Sequence, residues 1–439
     1  MKIFGIILLF GAGLLRAAPD GEPVRAVVIS SAYINRLIAE ARSNNPSLKA
    51  ADARFKAATL DSEAVRAWDD PSFMAGGSAF SSKGMDPAQT GDLSYGIEQK
   101  LPMWGRPKLA QRVAAAGASM RQADVNYRIQ QLRRDLTRQL LAAALARRVV
   151  DIGRQDLDWL NATVKTAETR YRDGQTSVAD VLEIQNEQAE RNDRLRSDSL
   201  LVAHENFNLN RLLNRPGDAS WPPLLLPPAA PPVSYSARLV SLALANEPKL
   251  KVMTQEIKQA EAAAQLTRRT RLPDVSLGVE GRQYSGDGGL REGDFTLRFT
   301  LPWFNGDKYR KDYARDKERQ VSAEQEREDQ VWEVREQLHR LSVDIEASRR
   351  EALLYGGEIT SRATQALSSR VSDWENGRGL FREVLEARRS LLDSQLTSAR
   401  AVAGENEMLA DLLLWSGLEN IEDLAQLAGE PSSLPNREP

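Results

Sequence analysis

Four carboxylates at matched positions are the residues of this chain best suited to chemistry. Asp180 and Glu183 form one pair, and Glu383 and Glu386 form the other at a constant offset of 203 positions. A spacing of three residues on a helix places both acids of a pair on one face. A ring of such pairs around an opening would attract cations and repel anions. Acids near a helix start are also favoured by the helix dipole, so ordinary capping is the alternative.

Each acidic pair follows a glycine that suits a tight turn between two helices. Gly174 and Gly377 permit the left-handed backbone such a turn needs. Arg172 and Arg378 flank the two glycines. Hydrogen bonds from either arginine to the acids would hold the ring in a closed state.

Catalytic chemistry has little support in the sequence. The chain has no cysteine, which excludes a thiol nucleophile, a zinc–thiolate site, an iron–sulfur cluster and a disulfide framework. His204 and His339 are isolated in helical contexts, and no glycine-rich loop suits a phosphate. Lys and Arg number 59 against 61 Asp and Glu, so no basic excess points to nucleic acid. We therefore expect a protein that is not an enzyme and has no cofactor, metal site or nucleic-acid partner.

The N-terminal residues predict export. Lys2 precedes an apolar stretch over 3–15, followed by Arg16-Ala17-Ala18, which indicates a signal peptide over 1–18. An uncleaved anchor is the alternative, although the apolar run is short for a spanning helix. Residues 429–439 read as a disordered tail.

The chain is a duplication with a period of about 200 residues. We predict a first repeat over 19–215, a proline-rich linker over 216–236 and a second repeat over 237–428. Landmarks recur in the same order, among them Asp70-Pro71 with Leu272-Pro273, Leu101-Pro102-Met103-Trp104 with Leu301-Pro302-Trp303-Phe304, and Asp180-Val181-Leu182 with Glu383-Val384-Leu385.

Each repeat is predicted to contain a helix and then a β-hairpin, over 72–103 and 274–303. Val275, Leu277 and Val279 alternate with polar residues, which is the period of a strand with one apolar face. Strands of about ten residues cross a bilayer when tilted. A soluble hairpin packed on helices is the alternative.

Aromatic residues follow the strand exits. Trp104, Trp303 and Phe304 lie just beyond Pro102 and Pro302. Tryptophan and other aromatics are common at membrane–water interfaces. We expect these three to lie at the membrane boundary.

A long helical hairpin is predicted to follow each β-hairpin. Its first arm covers 107–172 in one repeat and 308–375 in the other, with Gly153 and Gly356-Gly357 as the main helix breakers. The tips are expected near 173–177 and 376–380. Arms of this length suit coiled coils. Four strands leave two open sheet edges, so a membrane barrel needs at least two copies, and three would supply twelve strands.

On these features the sequence resembles the TolC family of outer-membrane efflux proteins over nearly its whole length. The Asn45-Pro46 and Glu247-Pro248 helix starts, the Leu-Pro-aromatic strand exits and the repeated turns carry the resemblance. It implies a mixed α/β membrane protein that is mostly α. Three chains would close a twelve-stranded β-barrel in outer-membrane lipid, continued by an α-barrel of coiled helical hairpins into the periplasm.

The resemblance also implies partners and sites. The homotrimer would be a passive conduit that docks onto a periplasmic adaptor (membrane fusion) protein and an inner-membrane pump. Glu383 and Glu386 match the acidic positions of the family's periplasmic constriction, and adaptor contact falls on the turn residues Gly174, Gln175, Gly377 and Arg378. Trp374 stands where the family often has tyrosine. Gln99-Lys100-Leu101-Pro102 resembles the heavy-metal efflux branch, for which the cargo would be metal cations.

One alternative from another class remains open on the sequence. A periplasmic coiled-coil scaffold or adaptor without a pore would share the long helices. It predicts that Val275, Leu277, Val279, Phe295, Leu297 and Phe299 pack on helices.

Overall fold

A computed structural model describes most of the chain. The described residues are 26–65, 67–78, 92–284 and 288–428. The predicted signal peptide over 1–18, residues 79–91 and 285–287 of the two hairpins, and the predicted tail over 429–439 lie outside the described residues.

The two halves of the chain contain the same kinds of element in the same order. In the first half these are β1 (Val27–Val28), α1 (Ser31–Asn44), α2 (Pro46–Ala64), β2 (Ser72–Ser78), β3 (Asp92–Lys100), α3 (Arg106–Arg172) and α4 (Val178–Leu213). In the second half they are β4 (Leu224–Leu225), α5 (Ala237–Asn246), α6 (Pro248–Thr270), β5 (Val275–Tyr284), β6 (Leu290–Phe299), α7 (Gly306–Leu353), a π-helical turn (Leu354–Ile359), α8 (Thr360–Glu375), α9 (Phe381–Ser416) and α10 (Ile421–Ala428).

The helix starts at the two proline motifs are confirmed. The Asn45 side chain accepts hydrogen bonds from the backbone N–H groups of Ser47 (2.8 Å) and Leu48 (3.3 Å) at the start of α2. The Glu247 side chain accepts from the N–H of Leu250 at the start of α6. Both helices have proline in the first turn, where no N–H donor is lost. These caps divide each predicted N-terminal helical stretch into two helices.

The long first arms are present, although the predicted breakers act differently. Helix α3 has 67 residues, which corresponds to about 100 Å. Gly153 does not interrupt it. This residue is buried against α4, where an added Cβ would lie 3.3 Å from Leu195 Cδ1. In the second arm Gly356 and Gly357 lie inside the π-helical turn, so the chain stays helical between α7 and α8.

Leucine and alanine side chains fill the spaces between the long helices. One hydrophobic cluster joins α1, α3 and α4, another joins α3, α4, α8 and α9 near the tips, and a third joins α5, α6, α7 and α9. The described helices include none that combines the length and apolar character needed to cross a membrane.

One antiparallel four-stranded sheet unites the two hairpins in the order β2-β3-β5-β6. Strands β3 and β5, from different halves, pair from Asp92↔Tyr284 to Lys100↔Ser276. In the second hairpin, β5 ends at Tyr284 and β6 begins at Leu290. Among the described strands, β2 and β6 each have one edge without a partner.

The sheet has one apolar and one polar face. Val279 pairs with both Ile97 and Phe295, and all three side chains are exposed, with Phe295 72% exposed. On the other face Arg298 forms an ion pair with Glu98 at 2.8 Å. The scaffold alternative expected the apolar strand residues to pack on helices, and for Val279, Phe295 and their exposed neighbours that expectation is wrong.

Candidate functional site

The first helical tip is a tight turn between α3 and α4. Gly174 has φ of 71°, a left-handed conformation that is costly for residues with a Cβ. The N–H of Gln175 donates to the carbonyl of Arg170 at 2.8 Å, which closes the last turn of α3. Helix α4 then starts from Ser177.

The second tip repeats this geometry between α8 and α9. Gly377 has φ of 72°, and the N–H of Arg378 donates to the carbonyl of Asp373 at 2.8 Å. The backbones of the two turns are therefore equivalent. Gln175, Arg378 and both glycines are exposed, as a docking surface requires.

Asp180 serves as a helix cap. Its Oδ2 accepts hydrogen bonds from Thr176 Oγ1 (2.8 Å) and Ser177 N (3.1 Å), while Ser177 Oγ accepts from the N–H of Asp180 (3.1 Å). Burial alone would raise the pKa of Asp180, but the hydrogen bonds from Thr176 and Ser177 outweigh it and lower the pKa. The capping alternative therefore explains the contacts of Asp180, which is one of the four acids.

The other three acids lie beside arginines. Glu383 pairs with Arg370 at 2.8 Å, and Glu386 pairs with Arg382 at 3.0 Å. The hydrogen bond to Glu187 is the main cause that raises the pKa of Arg389, and the charge of half-buried Glu183 adds to it. Both ion pairs are exposed and contribute little to stability, so these carboxylates can exchange partners.

Arg172 and Arg378 do not hold the acids within the chain. Both side chains are exposed, and neither forms an ion pair with a described residue. The predicted closing hydrogen bonds therefore require a neighbouring copy, and the closed ring stays a prediction.

Arg170 links the two tips, a role that sequence reasoning missed. Its guanidinium donates to the carbonyls of Glu375 (2.9 Å) and Trp374 (3.2 Å) and stacks on the Trp374 ring, 4.9 Å from its centroid. Trp374 is buried against Phe381. Arg170 thus caps the carboxyl end of α8 from the end of α3. In the sequence, its place in the repeated turn motif was the one signal that could have indicated the role of Arg170.

A second missed group lies about 25 Å up the hairpin from the tip, given the helical rise. Asp156 on α3 is 2% exposed and contacts Arg191 of α4 and Arg388 of α9, each at 2.6 Å. The Arg388 guanidinium also stacks on Trp159 of α3. This triad ties both hairpins together, and nothing in the local sequence distinguishes Asp156 from exposed acids on the same helix.

The histidines remain ordinary helix residues in this structure. The His339 ring packs edge-on against Tyr235 at 5.2 Å, and His204 lies 3.2 Å from the amide of Asn208. Within the described parts of the chain, no three His, Asp or Glu side chains are grouped as metal ligands would be.

The three aromatics predicted to lie at the membrane boundary are found at the helix end of the sheet. Trp104 has a left-handed backbone, and its Nε1 donates to the carbonyl of Pro273 at 2.7 Å, which joins the exits of both hairpins. Trp303 and Phe304 are exposed. All three are positioned where the apolar sheet face ends.

Comparisons with known proteins agree with this architecture. The family model described as "Outer membrane efflux protein" matches residues 37–215 and 239–412. No curated protein matches the chain in a sequence search.

Solved channel structures share the fold. VceC from Vibrio cholerae is 19% identical with a TM-score of 0.74, covering 88% of this chain and 96% of its own. CusC is 18% identical with a TM-score of 0.77, covering 88% and 92%. MtrE from Neisseria gonorrhoeae, in its open state, is 18% identical with a TM-score of 0.72, covering 88% and 89%. These similarities show the shared fold, and the heavy-metal efflux branch stays a prediction.

Proposed function

This chain belongs to the outer membrane efflux protein family, and we propose that three copies of it assemble into one outer-membrane channel. In this proposal the three sheets join edge to edge as a twelve-stranded β-barrel. The long helices α3, α4, α7, α8 and α9 continue the channel as a tunnel into the periplasm. The trimer is a passive conduit, and an inner-membrane pump supplies the energy through a periplasmic adaptor.

The observation that carries the proposal is the four-stranded sheet with an exposed apolar face. Lipid cannot satisfy unpaired backbone groups, so β2 and β6 need partner strands from other copies. At least eight strands are needed to close a membrane barrel, and three copies supply twelve. The polar face, with Glu98 and Arg298, then lines the lumen.

The tips support docking to an adaptor. Large apolar side chains surround the exposed turn residues, and Leu380 is 71% exposed. Tyr171, Val178 and Leu182 are exposed beside the first turn. Exposed apolar groups around polar turns are typical of protein-binding surfaces. We therefore place the adaptor contact on Gly174, Gln175, Gly377 and Arg378 together with these neighbours.

We place the periplasmic constriction at the acids after the second turn. Glu383 and Glu386 keep only exposed arginine partners, so their charge remains available to passing ions. Glu183 adds to the ring, and Asp180 mainly holds the start of α4. In a trimer the ring attracts cations.

Cysteine labelling tests the proposal directly, because the chain contains no native cysteine. Val279→Cys and Glu280→Cys change neighbouring residues on opposite faces of β5. In vesicles, a charged maleimide should label Glu280→Cys from the lumen and leave Val279→Cys unlabelled within lipid. After solubilisation in detergent and unfolding, both should react equally. Equal labelling of both in intact vesicles would contradict the barrel.

A further inference from the structure

A cleft between the end of α6 and the start of α7 is lined by groups that suit a phosphate. Its volume is about 510 Å³, large enough for a small polar headgroup. Two kinds of side chain dominate its lining, three arginines and three aromatics: Arg268, Arg271, Arg310, Trp303, Tyr309 and Tyr313.

The cleft is positively charged. None of the described residues that line it carries a carboxylate. Asp307 follows the lining residue Gly306 in the sequence. Its carboxylate contacts Lys311 at 2.8 Å and Arg310 at 3.3 Å. Neither Arg268 nor Arg271 forms an ion pair with a described residue. The helix dipole favours basic residues in the last turn of α6, but it does not explain the aromatic wall opposite them.

The cleft begins where the apolar surface of the sheet ends. Every second residue from Phe295 onward is apolar and exposed: Phe295, Leu297, Phe299, Leu301 and Trp303. The last of these, Trp303, is also a wall of the cleft. Tryptophan at the end of a lipid-facing strand marks the depth of the lipid headgroups. In the proposed channel the arginines therefore lie at headgroup depth, on the side where the helices leave the membrane.

We propose that this cleft binds the phosphate of a phospholipid in the inner leaflet of the outer membrane. The inference rests on the proposed function, because it needs the apolar sheet face to contact lipid. Arg268 and Arg271 present guanidinium forks that match phosphate oxygens. Trp303 and Tyr309 contact the glycerol and the first methylenes of the acyl chains. The bound lipid fixes the depth at which the sheet meets the helices.

Native mass spectrometry of the detergent-extracted full-length protein tests this binding. The probes are phosphatidylglycerol and a diacylglycerol with the same acyl chains, which lacks only the phosphate-containing headgroup. The wild type should retain phosphatidylglycerol at least about tenfold more than diacylglycerol, because a charge-assisted hydrogen bond alone provides a factor of that order. Arg268→Gln/Arg271→Gln should bring the two lipids close to equal retention.

A matched control uses the same helix and the same change in charge. Lys251→Gln/Lys258→Gln alters two exposed lysines of α6 outside the cleft and should keep the wild-type preference. Inorganic phosphate at the concentration of the lipid should leave the lipid-bound mass unchanged. If the double arginine variant does not assemble, Arg268→Gln and Arg271→Gln are measured singly, each with a partial loss expected.

The outcomes separate the two proposals. A wild-type protein that inserts into vesicles but retains both lipids equally would overturn the phosphate site and leave the channel intact. Displacement of the lipid by inorganic phosphate would overturn the assignment to a lipid. A protein that does not insert into vesicles would contradict the proposed function itself.

Discussion

At the scale of single residues, Asp156 joins three of the long helices, α3, α4 and α9. Its carboxylate is buried between two guanidiniums from different helices. Removing one member of a buried ion cluster leaves the others desolvated and unpaired, which costs more than the cluster contributes as a whole. We therefore expect Asp156 to strengthen the attachment of α9 to the first hairpin, beside the hydrophobic contacts there.

We expect Asp156→Asn to destabilise the folded protein by about 3–5 kcal/mol, because Arg191 and Arg388 lose their charged partner. Asp151→Asn is the matched control on the same helix. Asp151 forms exposed pairs with Arg147 and Arg154, so its loss should cost at most about 1 kcal/mol. Thermal unfolding of the two purified variants measures both effects. Equal melting temperatures would contradict the role assigned to the triad.

The pH dependence of the first tip follows from Asp180. Its pKa is lowered from an ordinary value of 3.8 by hydrogen bonds that exist only while the start of α4 is folded. The stabilisation is thus fully present above that ordinary value and is lost as the pH falls through the lowered one. Asp180→Asn should weaken protection of the tip against hydrogen exchange at neutral pH, and the difference from wild type should shrink in acid.

Ser177→Ala provides the comparison for Asp180. It removes the other half of the capping box and should cost about 0.5–2 kcal/mol of helix stability at any pH. A gap between wild type and Asp180→Asn that stays constant from neutral pH into acid would show that the carboxylate does not act as the cap.

At the scale of elements, the two tips depend on a left-handed glycine. A Cβ on Gly377 would meet no described atom within 4 Å, so the cost of Gly377→Ala is backbone strain alone, about 1–2 kcal/mol. Gly404→Ala in the middle of α9 is equally free of contacts but helical, and it should stabilise by about 0.5–1 kcal/mol. Melting temperatures that shift in the same direction for both would contradict this account of the turn.

The sequence predicted where helices and strands lie better than it predicted which of them pair or pack together. The alternation at Val275, Leu277 and Val279 and the capping motif at Asn45-Pro46 are local signals, and each predicted its element. Pairing of β3 with β5 joins residues almost 200 positions apart, so no local pattern indicates it. Gly153 illustrates the same limit, since its burial against Leu195 was decided by a crossing helix rather than by helix propensity.

The candidate site divides in the same way. The repeated glycines predicted both turns because glycine, unlike residues with a Cβ, adopts φ near 70° without strain. Asp180 and Glu383 occupy equivalent positions in the two repeats. Asp180 accepts a hydrogen bond from Ser177 in the capping box, whereas Glu383 pairs with Arg370 of the preceding helix. Contacts of this kind, like those of Arg170 and Asp156, depend on tertiary packing.

At the scale of the whole molecule, the structure joins a sheet with an exposed apolar face to helices about 100 Å long. In the proposed channel, other copies close the sheet, and the exposed tips are the surfaces through which other proteins would bind. A conduit of this kind needs no catalytic group. In the proposed trimer the central property is a continuous passage for ions, and we propose that its narrowest point lies at the acidic tips.

Conductance in a planar bilayer, with protein extracted from the outer-membrane fraction, tests that property most directly. We expect a small, stable, cation-selective conductance from the wild type. Glu383→Gln/Glu386→Gln should raise the conductance, because it weakens the hydrogen bonds predicted to hold the ring closed. It should lower cation selectivity, because it removes the ring charge and leaves Arg370 unpaired. Glu256→Gln/Glu261→Gln, on α6 far from the tips, should have little effect. Protein found in the soluble periplasm, or giving no conductance even in the tip variant, would contradict the account.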